Sequence, residues 1–209
     1  MSNGNASASP NLVWVDCEMT GLDTKNDVLV EIAVLVTDSD LNNIGEGVDL
    51  VIKATPEQIS GMNEFVTKMH TDSGLIDEIP NGVSVSDAEN TILKYLESSG
   101  VVAGKSPIAG NSVYVDRIFI ARDMPKLAEH LHYRTIDVSS IKELTRRWYP
   151  KVYFNAPAKT GNHRALGDIK DSIAELSFYR KTVFVDQPGP QSADIKQIAA
   201  TFNGDTASE

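Results

Sequence analysis

The stretch Asn11–Asp23, NLVWVDCEMTGLD, decides how this chain is read. Leu12 to Val15 is an apolar run with β-branched and aromatic members, the kind that enters a sheet, and the strand reading extends to Met19. Along a strand alternate side chains share a face, with ~7 Å between residues two apart. Val13, Val15 and Cys17 then point one way, and Trp14, Asp16 and Glu18 the other. Two carboxylates side by side at a strand end repel each other and desolvate badly unless a cation sits between them. Hard divalent ions such as Mg2+ accept these oxygen ligands while keeping waters and substrate phosphates as the others. A solvated strand end also accounts for the pair, so the remainder of the chain has to decide.

Working outward, VLVEIAVLVTD (Val28–Asp38) is a longer, largely buried strand, and SDLNN turns the chain into IGEGVDLVI to give an antiparallel meander. SDAENTILKYLESSG is a helix, with Ser86 capping against Glu89 and Gly100 as a stop. PIAGN is a short strand leading to a helix around Val115–Asp123, closed by Pro125. TIDV is a further strand, and in SSIKELTRRWYP the spacing predicts Ser140 capping against Glu143 and Pro150 ending the helix. The last helix, ALGDIKDSIAELSFYRKTV, carries Leu166, Ile169, Ile173 and Leu176 as its buried stripe. The fold class is α/β, a mixed five-stranded sheet flanked by helices. Residues 1–10 read as a flexible leader, 11–183 as the working domain, and 184–209, with DQPGPQ and NGDTASE, as a mostly disordered tail.

The chain has 209 residues, 41% hydrophobic and 23% charged, which suits one soluble α/β domain with a sizeable core. No apolar run approaches the ~18–20 residues that cross a bilayer, and MSNGNASASP lacks the features of a secretory signal, so no membrane partner is expected. Cys17 is the single cysteine, which precludes an intrachain disulfide and points to a cytoplasmic setting. The net charge is −10, of which −3 belongs to the segment from Phe184 onward (Asp186, Asp194, Asp205 and Glu209 against Lys196). A protein that grips long nucleic acid by its phosphates normally shows a basic footprint. Any nucleic-acid partner of this acidic body should be short, or should have its phosphates met by bound cations.

Further acids bear on Asp16 and Glu18. Asp116 follows AGNSVYV and begins a helix, where an acid is favourable on its own account. Asp168 flanks the apolar stripe of the last helix, five residues after His163. Five residues is not one helix face, so His163 belongs to the preceding loop, AKTGNH, leaning over the helix start. A lone histidine there is ordinarily structural or solvated. Together Asp16, Glu18, Asp116 and Asp168 are carboxylates at strand ends and helix starts, which an α/β sheet can bring to one edge.

The blocks WVDCEMTGLD, EIAVLVTD, MHTDSGL, GNSVYVDR, HYRTIDVSSIKEL and NHRALGDIKDSI stand in the order found in one family. The chain resembles the DEDD-type 3′-to-5′ exonucleases of the histidine-bearing branch, and within them the oligoribonucleases, over about Asn11 to Phe184. The resemblance implies an RNase H-like fold, two divalent cations (Mg2+ or Mn2+), and release of 5′-mononucleotides from very short single-stranded RNAs, 5′-phosphorylated dinucleotides above all. It makes Asp16, Glu18, Asp116 and Asp168 the metal-binding acids and His163 the general base. It further implies that Leu22 wedges between the terminal bases, that Phe65 stacks on one of them, and that His70 and Ser112 contact substrate. Tyr133 and Arg134 resemble a pair supplied across a homodimer interface to close the far end of the site. The cations of 142–164 (Lys142, Arg146, Arg147, Lys151, Lys159 and Arg164) are either a solvated face or a basic rim for the substrate's 5′-phosphate.

Overall fold

The computed structural model of the chain describes residues 10–159 and 164–202. Strand β1 (Leu12–Met19) is the middle of a five-stranded sheet of order β3-β2-β1-β4-β5. β2 (Leu29–Thr37) and β3 (Asn43–Val51) form the antiparallel meander on one side. α1 (Pro56–Ser60), α2 (Glu64–Asp72), α3 (Leu75–Glu78), a 3-10 turn (Ile79–Asn81) and α4 (Val85–Ser98) follow. β4 (Pro107–Gly110) and β5 (His132–Asp137) run parallel to β1 on its other side, joined by α5 (Tyr114–Asp123) and α6 (Pro125–His130). α7 (Val138–Trp148), α8 (Pro150–Tyr153), α9 (Ala165–Thr182) and α10 (Ser192–Phe202) complete the described chain. The α/β class and the mixed five-stranded sheet are those the sequence pattern predicts.

The alternation along β1 separates two cores. Val13, Val15, Cys17 and Met19 join Ile92 and Leu96 of α4, Phe119 and Ile120 of α5, and Leu127 of α6. Trp14 faces the opposite layer with Ile169, Ile173, Leu176 and Tyr179 of α9 and Val138 of α7, and its indole N–H donates to Thr37 Oγ1 at 3.0 Å. Each large apolar side chain withdrawn from water in these layers contributes ~1.5–3 kcal/mol, so both faces of β1 are strongly pinned. Glu18 pairs with Glu31 and Met19 with Leu29, which leaves Val30 as the extra residue of a bulge. That bulge turns Val30 into a third cluster with Ala54, Met62, Leu75 and Ile79, and so fastens α1–α3 beside the end of β1 that carries the acids.

Two caps differ from expectation, both because an acid is used elsewhere. α4 is capped by Ser84, whose side chain accepts the Asp87 N–H at 3.1 Å, and not by Ser86. Glu89 is buried and instead accepts the N–H groups of Lys126 and Leu127 at 2.8 and 3.1 Å, satisfying the start of α6. α7 begins earlier than Ser140 would place it, with Asp137 accepting the Ser139 N–H at 2.9 Å, while Glu143 holds Arg146 and Arg147. Leu166 in the α9 stripe is only partly buried. Within 184–202 the segment Ser192–Phe202 is helical, since SADIKQIAATF has no Gly or Pro and repeats Ile195, Ile198 and Phe202 at helical spacing; its side chains are exposed.

Candidate active site

Three elements converge at the end of β1. Asp16 and Glu18 come from the strand, and Asp168 from the first turn of α9. One carboxylate oxygen from each lies within 4.8 Å of the others, close enough for a shared cation. Asp116 arrives from the first turn of α5, on the other side of β1. Its Oδ1 accepts the Cys17 N–H at 2.9 Å, tying the helix start to the strand between the two acids. The approach is tight: a side chain at Gly110, where β4 ends, would sit 2.7 Å from the Val15 carbonyl oxygen. The chain then turns at Ser112, with φ +52°, and enters α5.

Burial and neighbouring negative charges act on Asp16, Glu18 and Asp116. Desolvation, followed by the charges of Asp116, Glu18, Asp168 and Glu31, raises Asp16 well above the ordinary carboxylate range. Glu18 is pushed up to about 8 by burial, then by Glu31, Asp168 and Asp116, with Arg164 opposing. Asp116 rises to about 6 through burial, held back by the N–H groups it accepts. Carboxylates crowded this way cannot all ionise unaided, which is the electrostatic signature of a site that takes up positive charge. An all-oxygen donor set fits Mg2+ or Mn2+ in preference to softer ions. Cys17 packs into the first core as the alternation predicts, but it also touches Asp116, and burial with that neighbour keeps its thiol protonated.

A hollow of about 370 Å3 opens beside Glu18, lined by Gly21, Leu22, Asn63, Phe65, Val66 and Met69 among others. Leu22 and Phe65 are 74% and 76% exposed, two large apolar side chains displayed next to the acids where a solvent-facing chain has no folding use for them. His70 lies elsewhere. It is fully buried on α2, with Nε2 2.8 Å from the Met19 carbonyl and Nδ1 3.9 Å from Glu18 Oε2. A carbonyl only accepts, so Nε2 carries the proton, and the ring sits behind Glu18 and not at the mouth of the hollow. Ser112 donates its N–H to Asp137 Oδ1 and Ser139 Oγ at 3.0 and 2.8 Å, joining the α5 entrance to the start of α7. Tyr133 and Arg134 are on β5, the sheet edge, with β4 between them and β1; the guanidinium lies 5.6 Å from the tyrosine ring centre. His163 lies outside the described residues.

Of the basic stretch, Lys142 and Lys159 pair with Glu175, Arg146 and Arg147 with Glu143, and Arg164 with Glu31 and Glu78. Five of the six cations thus have an acidic partner within the chain, several of these pairs lying at the surface. Two polar groups escape a reading of the sequence. Glu31 is wholly buried on β2, opposite Glu18. Asn111 joins α9 and α7, donating to Ser172 Oγ at 2.7 Å and accepting from Ser139 Oγ at 3.2 Å. An acid inside the apolar run of β2 was the available signal for Glu31; Asn111 had none.

Comparison with known proteins agrees with this geometry. The exonuclease family model matches residues 13–176. The oligoribonuclease of Streptomyces griseus is 56% identical over 94% of this chain and 98% of its own length. That of Leifsonia xyli subsp. xyli is 54% identical over 94% of this chain and 95% of its own. Among solved structures, exonuclease I superposes with a TM-score of 0.66 at 15% identity, covering 92% of this chain and 44% of that one. E. coli exonuclease I in complex with a dA16 oligonucleotide gives 0.66 at 16%, over 84% and 42%. The chain thus spans less than half the length of exonuclease I, and that likeness bears on the fold, which is RNase H-like. Among the described residues no helix is long and apolar enough to cross a membrane. The identities are high, run the length of both partners, and fall on a chain whose acids meet at one strand end: it belongs to the oligoribonuclease family and is a nuclease of the hydrolase class.

Proposed function

We propose that the protein removes 5′-mononucleotides from the 3′ end of very short single-stranded RNAs, dinucleotides included, by phosphodiester hydrolysis that depends on two divalent cations, Mg2+ or Mn2+. The observation that carries this reading is the meeting of Asp16, Glu18 and Asp168 within 4.8 Å, beside a hollow that displays Leu22 and Phe65. Cations held there stabilise charge on the attacking and leaving oxygens of an in-line displacement. Asp16, Glu18 and Asp168 hold them, and Asp116, fixed to the Cys17 N–H, completes the set. Leu22 inserts between the two terminal bases and Phe65 offers a π-face to one of them. His163, with an ordinary pKa near ~6.5, accepts the proton of the attacking water near neutral pH. His70 serves the substrate through Glu18 and Met19, which it touches, while Ser112 contacts it directly.

The same reading accounts for the acidity of the protein. A substrate of two nucleotides has few phosphates to neutralise, so no basic track is needed. Its 5′ end is closed off by Tyr133 and Arg134 of a second copy in a homodimer, and a single buried cysteine suits a reducing cytoplasm. The test is turnover of 5′-phosphorylated RNAs of two, three, seven and twenty nucleotides, with Mg2+ and with a chelator. The dinucleotide should be cleaved fastest and only with metal. Equal rates across lengths would transfer the protein to the class of exonucleases that act on long strands.

A further inference from the structure

Glu31 is an acid where β2 otherwise supplies apolar residues. It is 0% exposed and stands directly opposite Glu18 in the strand register, yet it is outside the group whose ligand oxygens lie within 4.8 Å. A carboxylate buried without partners is strongly destabilising, so the partners of Glu31 bear on its role. Oε1 accepts from Arg164 Nε at 2.7 Å, and Oε2 accepts the N–H of Ala165, the first residue of α9, at 3.1 Å. The two terminal nitrogens of Arg164 donate to both oxygens of Glu78, at the end of α3, at 2.8 and 3.2 Å. One guanidinium therefore locks β2 to α3 and to the start of α9, using the planar fork that a lysine lacks. α9 has no side-chain cap of its own, and Glu31 supplies one from another element. Asp168 comes three residues after Ala165, within the same turn, so this joint sets where its carboxylate lies.

We propose that the Glu31–Arg164–Glu78 bridge is a positioning device for Asp168: it sets the cation affinity of the acid group by fixing the first turn of α9, with Glu31 itself not ligating. The inference rests on the metal reading above and deepens it. A simpler rival is that Arg164 acts on the cations only through its charge, and the two accounts differ in sign. Removing a positive charge beside the acids strengthens cation binding by Coulomb's law, whereas releasing the start of α9 weakens it.

Isothermal titration of Mn2+ into the metal-free full-length protein separates them, with far-UV circular dichroism to confirm the fold. Arg164→Gln should bind Mn2+ at least tenfold more weakly than the unmodified protein. Arg164→Lys keeps the charge and loses the fork, and it should also bind several-fold more weakly; it decides the matter if Arg164→Gln does not fold. Binding that is unchanged or tighter in the folded variants overturns the proposal and leaves the metal site standing. No Mn2+ binding by the unmodified protein overturns the metal reading itself, and the positioning role with it.

Discussion

Oδ1 of Asp116 accepts the backbone N–H of Cys17 at 2.9 Å, so a helix acid is bolted to the strand residue lying between Asp16 and Glu18. The contact spans 99 residues of chain and brings a further negative charge onto a cluster already crowded. Asp116→Asn keeps an oxygen for the Cys17 N–H and removes the buried charge. Without metal the variant should melt a few degrees higher, as expected for relief of ~1 kcal/mol in a domain of this size. Its turnover with Mg2+ should fall by more than ~100-fold, since about one oxyanion-scale interaction is lost. A lower metal-free melting temperature at pH 8 would show that the charge is not what the fold pays for.

The raised carboxyl groups also fix how stability changes with pH. Glu18 titrates at about 8 and Asp116 at about 6 in the folded protein, against ordinary values of 4.5 and 3.8. Between those limits the folded state holds protons that the unfolded chain has released. Their contribution is complete below the ordinary value and is lost as pH rises through the folded one. Chelated protein should therefore melt at a lower temperature at pH 8 than at pH 5.5. Cation binding must displace these protons, so Mn2+ should raise the melting temperature more at pH 8 than at pH 5.5. A scan of melting temperature from pH 5 to 9, with Mn2+ and with chelator, checks both signs.

Leu22 and Phe65 lie largely in solvent, so trimming them to Ala should change folding stability by less than ~0.5 kcal/mol. A base stacked on an aromatic ring is worth ~1–3 kcal/mol, and Phe65→Ala should accordingly raise KM for a dinucleotide by about 5- to 150-fold. Phe65→Trp offers a larger π-face and should lower KM. Mn2+ affinity should be unaffected in all three variants. Steady-state kinetics on a 5′-phosphorylated dinucleotide, paired with Mn2+ titration, separates base contacts from metal contacts; a Phe65→Ala variant with normal KM would remove the stacking role.

The sheet was legible because its information is local. Val13, Val15 and Cys17 on one side of β1 and Trp14 on the other are sorted by a period of two, and the two cores follow that sorting. The acids were legible as residue types and as a set that one sheet edge could gather, but the route by which each arrives was not. Asp116 reaches β1 only because the chain makes a close approach at Gly110 and a left-handed turn at Ser112, neither of which has a sequence signature. Capping failed where the carboxylate had another partner: Glu89 serves α6, 37 residues on, and Glu143 holds Arg146 and Arg147; Glu31, which serves Arg164 133 residues on, was overlooked. Spacing rules see four residues ahead, so a buried acid that caps another element is misread as a local one or overlooked.

Tyr133 and Arg134 are neighbours in sequence and in space. Both are on the edge strand β5, and β4 separates them from the strand that carries Asp16 and Glu18. If a second copy supplies them, each site in a homodimer combines the acids of one chain with the tyrosine and arginine of the other. Asp16→Asn then disables the site on its own chain, and Tyr133→Ala disables the site on the opposite chain. In a heterodimer of the two variants both lesions fall on the same site, and the other is intact. Random exchange makes half of the dimers mixed, so a co-refolded or co-expressed mixture should recover about a quarter of unmodified turnover, although each variant alone has little. Turnover of the mixture equal to the average of the two variants would place Tyr133 in its own chain's site, or outside the site altogether.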